Sequence, residues 1–175
     1  MRQTTSDLSQ QDLEDARVIL EVLKLVHQQR GNRGAAGRKL LRHATDAFWD
    51  KPRETRQGHR RRVDGALWSP AAFARANHPE PRLVGEHVYP MKLRIAGWYE
   101  RLDNQEVPTA AEIAADLLAT PWAIITGEED EKLTRAKLRD RMPEDWDGHD
   151  LWARYRHPDV ALDVDGFRPF PQQKS

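Results

Sequence analysis

Apolar residues recur every three or four positions in several segments of the chain, a pattern that predicts a mainly helical protein. The clearest stripe runs from Leu13 to Val26, behind an N-cap at Asp7 or Ser9, and predicts a helix that ends near Arg30. Similar patterns predict six further helices, over about residues 36–49, 70–77, 91–102, 110–119 and 128–139 and around 152–155.

Three shorter apolar segments are β-prone and predict strands, at residues 83–89, 122–126 and 160–164. No internal repeat and no long heptad pattern accompanies them. The pattern therefore predicts a helix-dominated α+β fold, with several helices around a small sheet of short strands.

The length of 175 residues predicts a single domain. The sequence predicts three parts within it. They are a helical N-terminal part at residues 1–64 with a basic arm at 30–62, an α+β part at residues 65–168, and a tail at residues 169–175. No apolar segment approaches the roughly 18 residues of a membrane helix, and the N-terminus lacks the apolar core of a signal peptide. We therefore expect a cytoplasmic protein with no membrane partner; the sequence sets no oligomeric state.

Several kinds of chemistry are excluded by composition. The chain has no cysteine, which excludes disulfides, thiolate zinc sites, iron–sulfur clusters and a cysteine nucleophile. None of its four serines lies in a G-x-S-x-G motif, and the glycine-rich segment at 31–39 breaks the spacing of a phosphate-binding P-loop. Any metal must therefore be held by His, Asp, Glu, Asn or backbone oxygens.

Charge is strongly segregated although the whole chain has no net charge. Residues 27–62 contain eleven Arg and Lys against three acids, whereas residues 99–131 contain nine acids and one Arg. Arginine suits bidentate contacts with phosphate and with carboxylate. The basic segment is thus expected to bind nucleic acid, DNA being favoured over RNA, or an acidic protein surface; a solvated loop or an internal contact with the acidic stretch is the structural alternative. The candidate nucleic-acid contacts are Arg38, Lys39, Arg42, Arg56, Arg60, Arg61 and Arg62.

One short motif points to catalysis. The segment Gly85-Glu86-His87-Val88-Tyr89-Pro90 resembles the opening motif of the HNH, or ββα-metal, endonucleases, which often read acid-His-apolar-x-Pro. The resemblance implies that His87 is the general base that activates water and that Glu86 binds a divalent metal, Mg²⁺ or Mn²⁺, at the scissile phosphate.

The resemblance also implies a second strand and a helix that supplies the remaining metal ligand. The matching segments are residues 122–126 and 128–139, with Glu129 or Asp130 as the ligand. Residues 90–119 separate the two strands where the family usually has a short loop, and no Asn or His lies in the final helix.

Two hypotheses follow. In the first, the protein is a metal-dependent endonuclease, or a DNA-binding protein derived from one. In the second, it is a non-catalytic interaction protein, such as a regulator or inhibitor of a nucleic-acid-handling complex, that uses its arginines and exposed tryptophans, Trp146 and Trp152, while the Glu86–His87 pair is structural. A second polar cluster, Asp147, His149 and Asp150, is better explained by capping than by metal binding, and Arg154 and Arg156 beside it are a possible phosphate or partner contact.

Overall fold

The computed structural model describes residues 8–29, 35–50, 66–76 and 82–169. Seven helices and four short strands occur in these ranges, which confirms the predicted helix-dominated α+β class. In chain order they are α1 (Gln10–Gln28), α2 (Ala35–Asp50), β1 (Leu67–Trp68), α3 (Pro70–Ala74), β2 (Leu83–His87), α4 (Met91–Asp103), α5 (Ala110–Leu118), β3 (Trp122–Thr126), α6 (Gly127–Arg135), α7 (Ala153–Arg156) and β4 (Arg168–Pro169). None of the described helices combines the length and the apolar composition needed to cross a bilayer.

Local capping explains where most of these helices begin. In three of them the N-cap hydroxyl accepts a hydrogen bond from the backbone three residues later, and the acid at that later position accepts one from the N-cap backbone. These capping boxes pair Ser9 with Asp12, Thr109 with Glu112, and Thr126 with Glu129. Ser69 caps α3, and Pro70 occupies its first helical position.

The chain divides into two compact units. Unit 1 contains residues 1–51 and 94–119, and unit 2 contains residues 52–93 and 120–175. In unit 1, α1 packs against both α2 and α5. Residues 94–119 therefore group with the N-terminal helices, whereas the sequence placed them with the α+β part, because the apolar stripe of α5 is buried on α1.

Buried polar contacts join α4 and α5 within unit 1. Arg94 is buried and pairs with the carboxylate of Asp116 at 2.6 Å. The indole N–H of Trp98 donates to the other oxygen of the same carboxylate at 2.9 Å. One carboxylate thus orients two side chains of α4.

Unit 2 contains the sheet, in the order β2-β3-β1-β4. β3 is buried along its whole length; it pairs antiparallel with β2 and parallel with β1. β4 pairs antiparallel with β1, so Pro169, predicted in the tail, belongs to the sheet.

The strand predicted at Val160–Val164 is wrong. Val160 and Leu162 are buried in the unit 2 core, which accounts for the apolar pattern. The backbone there turns instead of extending, because the N–H groups of Val160 and Ala161 both donate to the carbonyl of His157. The helix predicted to reach Arg139 also ends earlier, since Lys137 has a φ of 60°.

Candidate functional site

Arg154 is the centre of the polar cluster in unit 2. Its side chain is fully buried, and its guanidinium carries five N–H donors. Nε donates to the carbonyl of Val88 at 2.9 Å, and one terminal nitrogen donates to the carbonyls of Leu138 and Arg139 at 3.1 and 2.9 Å. The other terminal nitrogen donates to the carbonyl of His87 and, at 2.5 Å, to the carboxylate of Glu86. Every N–H of the group thus has an acceptor, and Arg154 is not exposed to phosphate as the sequence had suggested.

Glu86 is the counter-ion of this buried arginine. Burial raises the pKa of Glu86 above its usual range, because desolvation of the carboxylate outweighs the attraction of Arg154. Asp130 adds to the increase and Arg139 opposes it. Glu86 therefore has a structural partner where the resemblance required a metal ion.

Glu86 and His87 lie on opposite faces of β2, since successive side chains of a strand alternate. The register places Glu86 opposite Ala123 and His87 opposite Trp122. The imidazole of His87 is buried edge-on against the indole of Trp122, with ring centroids 4.2 Å apart, while Glu86 reaches Arg154. The structure does not bring this predicted acid and base to one reaction centre.

The two candidate ligands from α6 are also engaged. One carboxylate oxygen of Glu129 accepts from the backbone N–H of Thr126 at 2.8 Å and from the hydroxyl of Ser69 at 2.7 Å. Asp130 is buried, with its Oδ1 3.5 Å from Nε of Arg139. Its charge also acts on Glu86, so of the three predicted ligands Glu86 and Asp130 lie near enough to interact.

These residues do not fit the metal site implied by the resemblance. Within the ranges that the structure describes, no three His, Asp or Glu side chains are arranged to hold a metal ion. The order of elements is the strand-strand-helix order that the resemblance implied. β2 pairs antiparallel with β3, and α6 follows β3 directly and packs against both strands. An order of elements alone identifies no function.

The second polar cluster forms turns. Oδ1 of Asp147 accepts the backbone N–H groups of His149 and Asp150 at 2.7 and 3.0 Å, and these bonds lower the pKa of Asp147. Asp150 in turn pairs with Arg156 at 2.8 Å. The helix N-cap predicted at Asp147 is wrong, because α7 begins at Ala153 and the bonds that Asp147 accepts close a turn.

The two tryptophans expected at the surface are half-buried. The indole N–H of Trp146 donates to the carbonyl of Asp150 at 2.7 Å, and its ring packs on Tyr89. Trp152 packs on Tyr155 and Phe167, with ring centroids 5.4 and 4.9 Å apart. The expected full exposure of the two rings is wrong, since both are half-buried and Trp152 packs against the core of unit 2.

The basic residues of α2 form an exposed face. Arg38, Lys39 and Arg42, all predicted contacts, are exposed, and His43 is exposed beside them. We call these four residues the α2 basic face. The other exposed side chains of α2 that the structure describes are Ala36, Leu40 and Ala47, and Asp46, four positions after Arg42, is half-buried. The predicted contacts Arg56, Arg60, Arg61 and Arg62 lie outside the described residues.

Sequence reasoning missed two residues of these clusters. His43 follows Lys39 by four positions on a predicted helix, a spacing that would have placed it on the same face. Arg154 carried no such signal, because its five acceptors lie 15 to 68 positions away in the chain.

Comparisons with protein-family models, curated proteins and solved structures found no match to this chain. The chemistry of its described side chains therefore carries the functional argument.

Replacing Arg154 with Met tests its structural role. The change leaves the carboxyl of Glu86 and four backbone carbonyls without their donor, so we expect the free energy of unfolding to fall by about 3–5 kcal/mol in urea titrations. Arg156→Met on the same helix is the matched control: its pair with Asp150 is half-exposed, and the loss should stay below about 1 kcal/mol. Equal losses in the two variants would contradict the assigned role.

The raised pKa of Glu86 predicts the sign of a pH effect. As the pH rises above roughly 4.3, the ordinary pKa of a glutamate, the unfolded chain releases this proton before the folded chain does. Between the pKa of Glu86 in the unfolded chain and its higher pKa in the folded chain, rising pH therefore lowers the free energy of unfolding. Glu86→Gln removes this contribution, so the stability of wild type minus that of the variant should decrease with rising pH. A difference that grows with pH would mean that Arg154 lowers the pKa instead.

Proposed function

We propose that this protein binds nucleic acid through the α2 basic face and does not cleave it. The observation that carries the proposal is the exposure of Arg38, Lys39, Arg42 and His43 on one helix. Clustered cations on one face attract a polyanion, and the release of counterions from phosphates drives binding.

The non-catalytic part of the proposal is supported by the surroundings of Glu86. A catalytic metal would have to compete with Arg154, which is fully buried and donates to the same carboxylate at 2.5 Å. The base implied by the resemblance, His87, is directed to the other face of β2, against Trp122. These contacts favour a structural role for both residues.

A metal-dependent endonuclease is the second candidate function. It is favoured by the succession of β2, β3 and α6 and by the electrostatic coupling of two carboxylates, Glu86 and Asp130. In this alternative the cofactor would be Mg²⁺ or Mn²⁺. The two candidates differ in whether the bound DNA is cleaved.

Binding and cleavage can be measured on the same samples. We expect the full chain to retard plasmid DNA in a gel and to leave it uncut with Mg²⁺, Mn²⁺ or EDTA. In Lys39→Gln/Arg42→Gln, affinity should fall, and the slope of log affinity against log salt should become shallower by about two, because two phosphate contacts are lost.

The matched control is Arg82→Gln/Arg135→Gln, which removes the same charge from exposed residues of unit 2 and should leave both quantities unchanged. Metal-dependent cleavage that is lost in His87→Gln, with the fold verified by circular dichroism, would establish the second candidate. Absence of binding would exclude both and leave an acidic protein as the partner of the basic face.

A further inference from the structure

We infer that the α2 basic face recognises the phosphate backbone of double-stranded DNA and discriminates against single strands. The inference rests on the proposed function and specifies its ligand. It comes from a feature that the basic segment lacks, namely an accessible Phe, Trp or Tyr ring.

The basic segment offers no accessible Phe, Trp or Tyr ring for base stacking. Between His27 and Arg62 the sequence contains two residues of the Phe, Trp and Tyr type, Phe48 and Trp49. Their exposed fractions are 2% and 8%, and the two rings pack edge to face with centroids 5.5 Å apart. Both rings are therefore buried and pack on each other, and neither is accessible to a base.

The other Phe, Trp and Tyr residues described in unit 1 are likewise buried or half-buried. Trp98 is buried, and its indole N–H is used by Asp116. Tyr99 is half-buried, with its ring stacked on His27. The large apolar side chains that are exposed in the described ranges are all aliphatic: Val18, Leu25, Leu40 and Val107.

Proteins that hold single strands rely on such rings. Stacking of a base on an aromatic side chain contributes about 1–3 kcal/mol per base, in addition to the attraction of the backbone. Without it, binding depends on charge alone. A duplex carries one phosphate per roughly 1.7 Å of axis, twice the linear charge density of one strand, so charge alone favours the duplex.

The rigidity of the helix and of the duplex also favours binding of double-stranded over single-stranded DNA. On a helix, residues four apart lie about 6 Å apart along the axis, so Arg38 and Arg42 present their charges at fixed spacing. A duplex is stiff over about 150 base pairs and presents its phosphates in a fixed array as well. A single strand would have to be ordered on the same face, and that loss of freedom weakens binding.

The test compares two probes with the full chain. Fluorescence anisotropy would be recorded with a labelled duplex of about two helical turns and with an unstructured oligothymidine strand of equal length, at about 50 and about 200 mM salt. We expect the duplex to bind at least about tenfold more tightly at both salt concentrations. Single-strand affinity equal to or above that of the duplex would overturn the inference while leaving the proposed function in place. Failure of both probes to bind would overturn the proposed function itself.

A gain-of-function variant provides a second, independent test. Leu40 is 48% exposed and lies three positions before His43 on α2, at the edge of the basic face, so Leu40→Trp adds an indole ring there. Single-strand affinity should rise about fivefold or more, with quenching of the new indole fluorescence, while duplex affinity stays nearly constant. The control is Val107→Trp, at an exposed position in the loop between α4 and α5. An unchanged single-strand affinity in Leu40→Trp would mean that nucleic acid does not contact this face.

Discussion

The buried guanidinium of Arg154 joins segments of unit 2 that are distant in sequence. It binds the carbonyls at the end of β2, the carbonyls of the segment that follows α6, and the carboxylate of Glu86. Removing such a charge from water is costly, and the cost is offset only when every donor has an acceptor and a counter-ion lies close. Arg154 meets both conditions. This one side chain thus connects the end of β2, the segment after α6 and α7.

That connection bears directly on function. A carboxyl group that is bound by a buried arginine is tied to the fold, which supports the structural role proposed for the Glu86–His87 motif. Successive side chains of β2 point to opposite faces of the sheet. His87 therefore packs against Trp122 on the face opposite Glu86. The contact between Glu86 and Arg154 thus lies within unit 2, whereas the α2 basic face of unit 1 is exposed to solvent.

Local signals made much of the fold predictable. Hydroxyl residues such as Ser9, Thr109 and Thr126 cap helices through contacts three residues away, and apolar periodicity marks the face that each helix buries. Prediction failed where a distant contact decides the outcome. The apolar residues Val160 and Leu162 suit a strand or a packed turn equally well, and only the surrounding core selects the turn.

In the candidate site too, features set by local sequence were predictable and features set by distant contacts were not. Exposure of Arg38, Lys39 and Arg42 follows from their place on an amphipathic helix and was predictable from spacing. The burial of Arg154 was not, because nothing local distinguishes it among the 28 Lys and Arg residues of the chain. Glu86 was consequently interpreted from its neighbour in sequence, His87, and not from its partner in space.

The measurement that tests this account most directly is a titration of the ¹⁵N-labelled protein with a DNA duplex, followed by amide NMR in the presence of Mg²⁺. The account predicts that the shift changes centre on residues 38–43 of α2 and that residues 85–88 and 127–131 stay nearly unchanged. Changes centred on residues 85–88 and 127–131, with α2 unaffected, would contradict it.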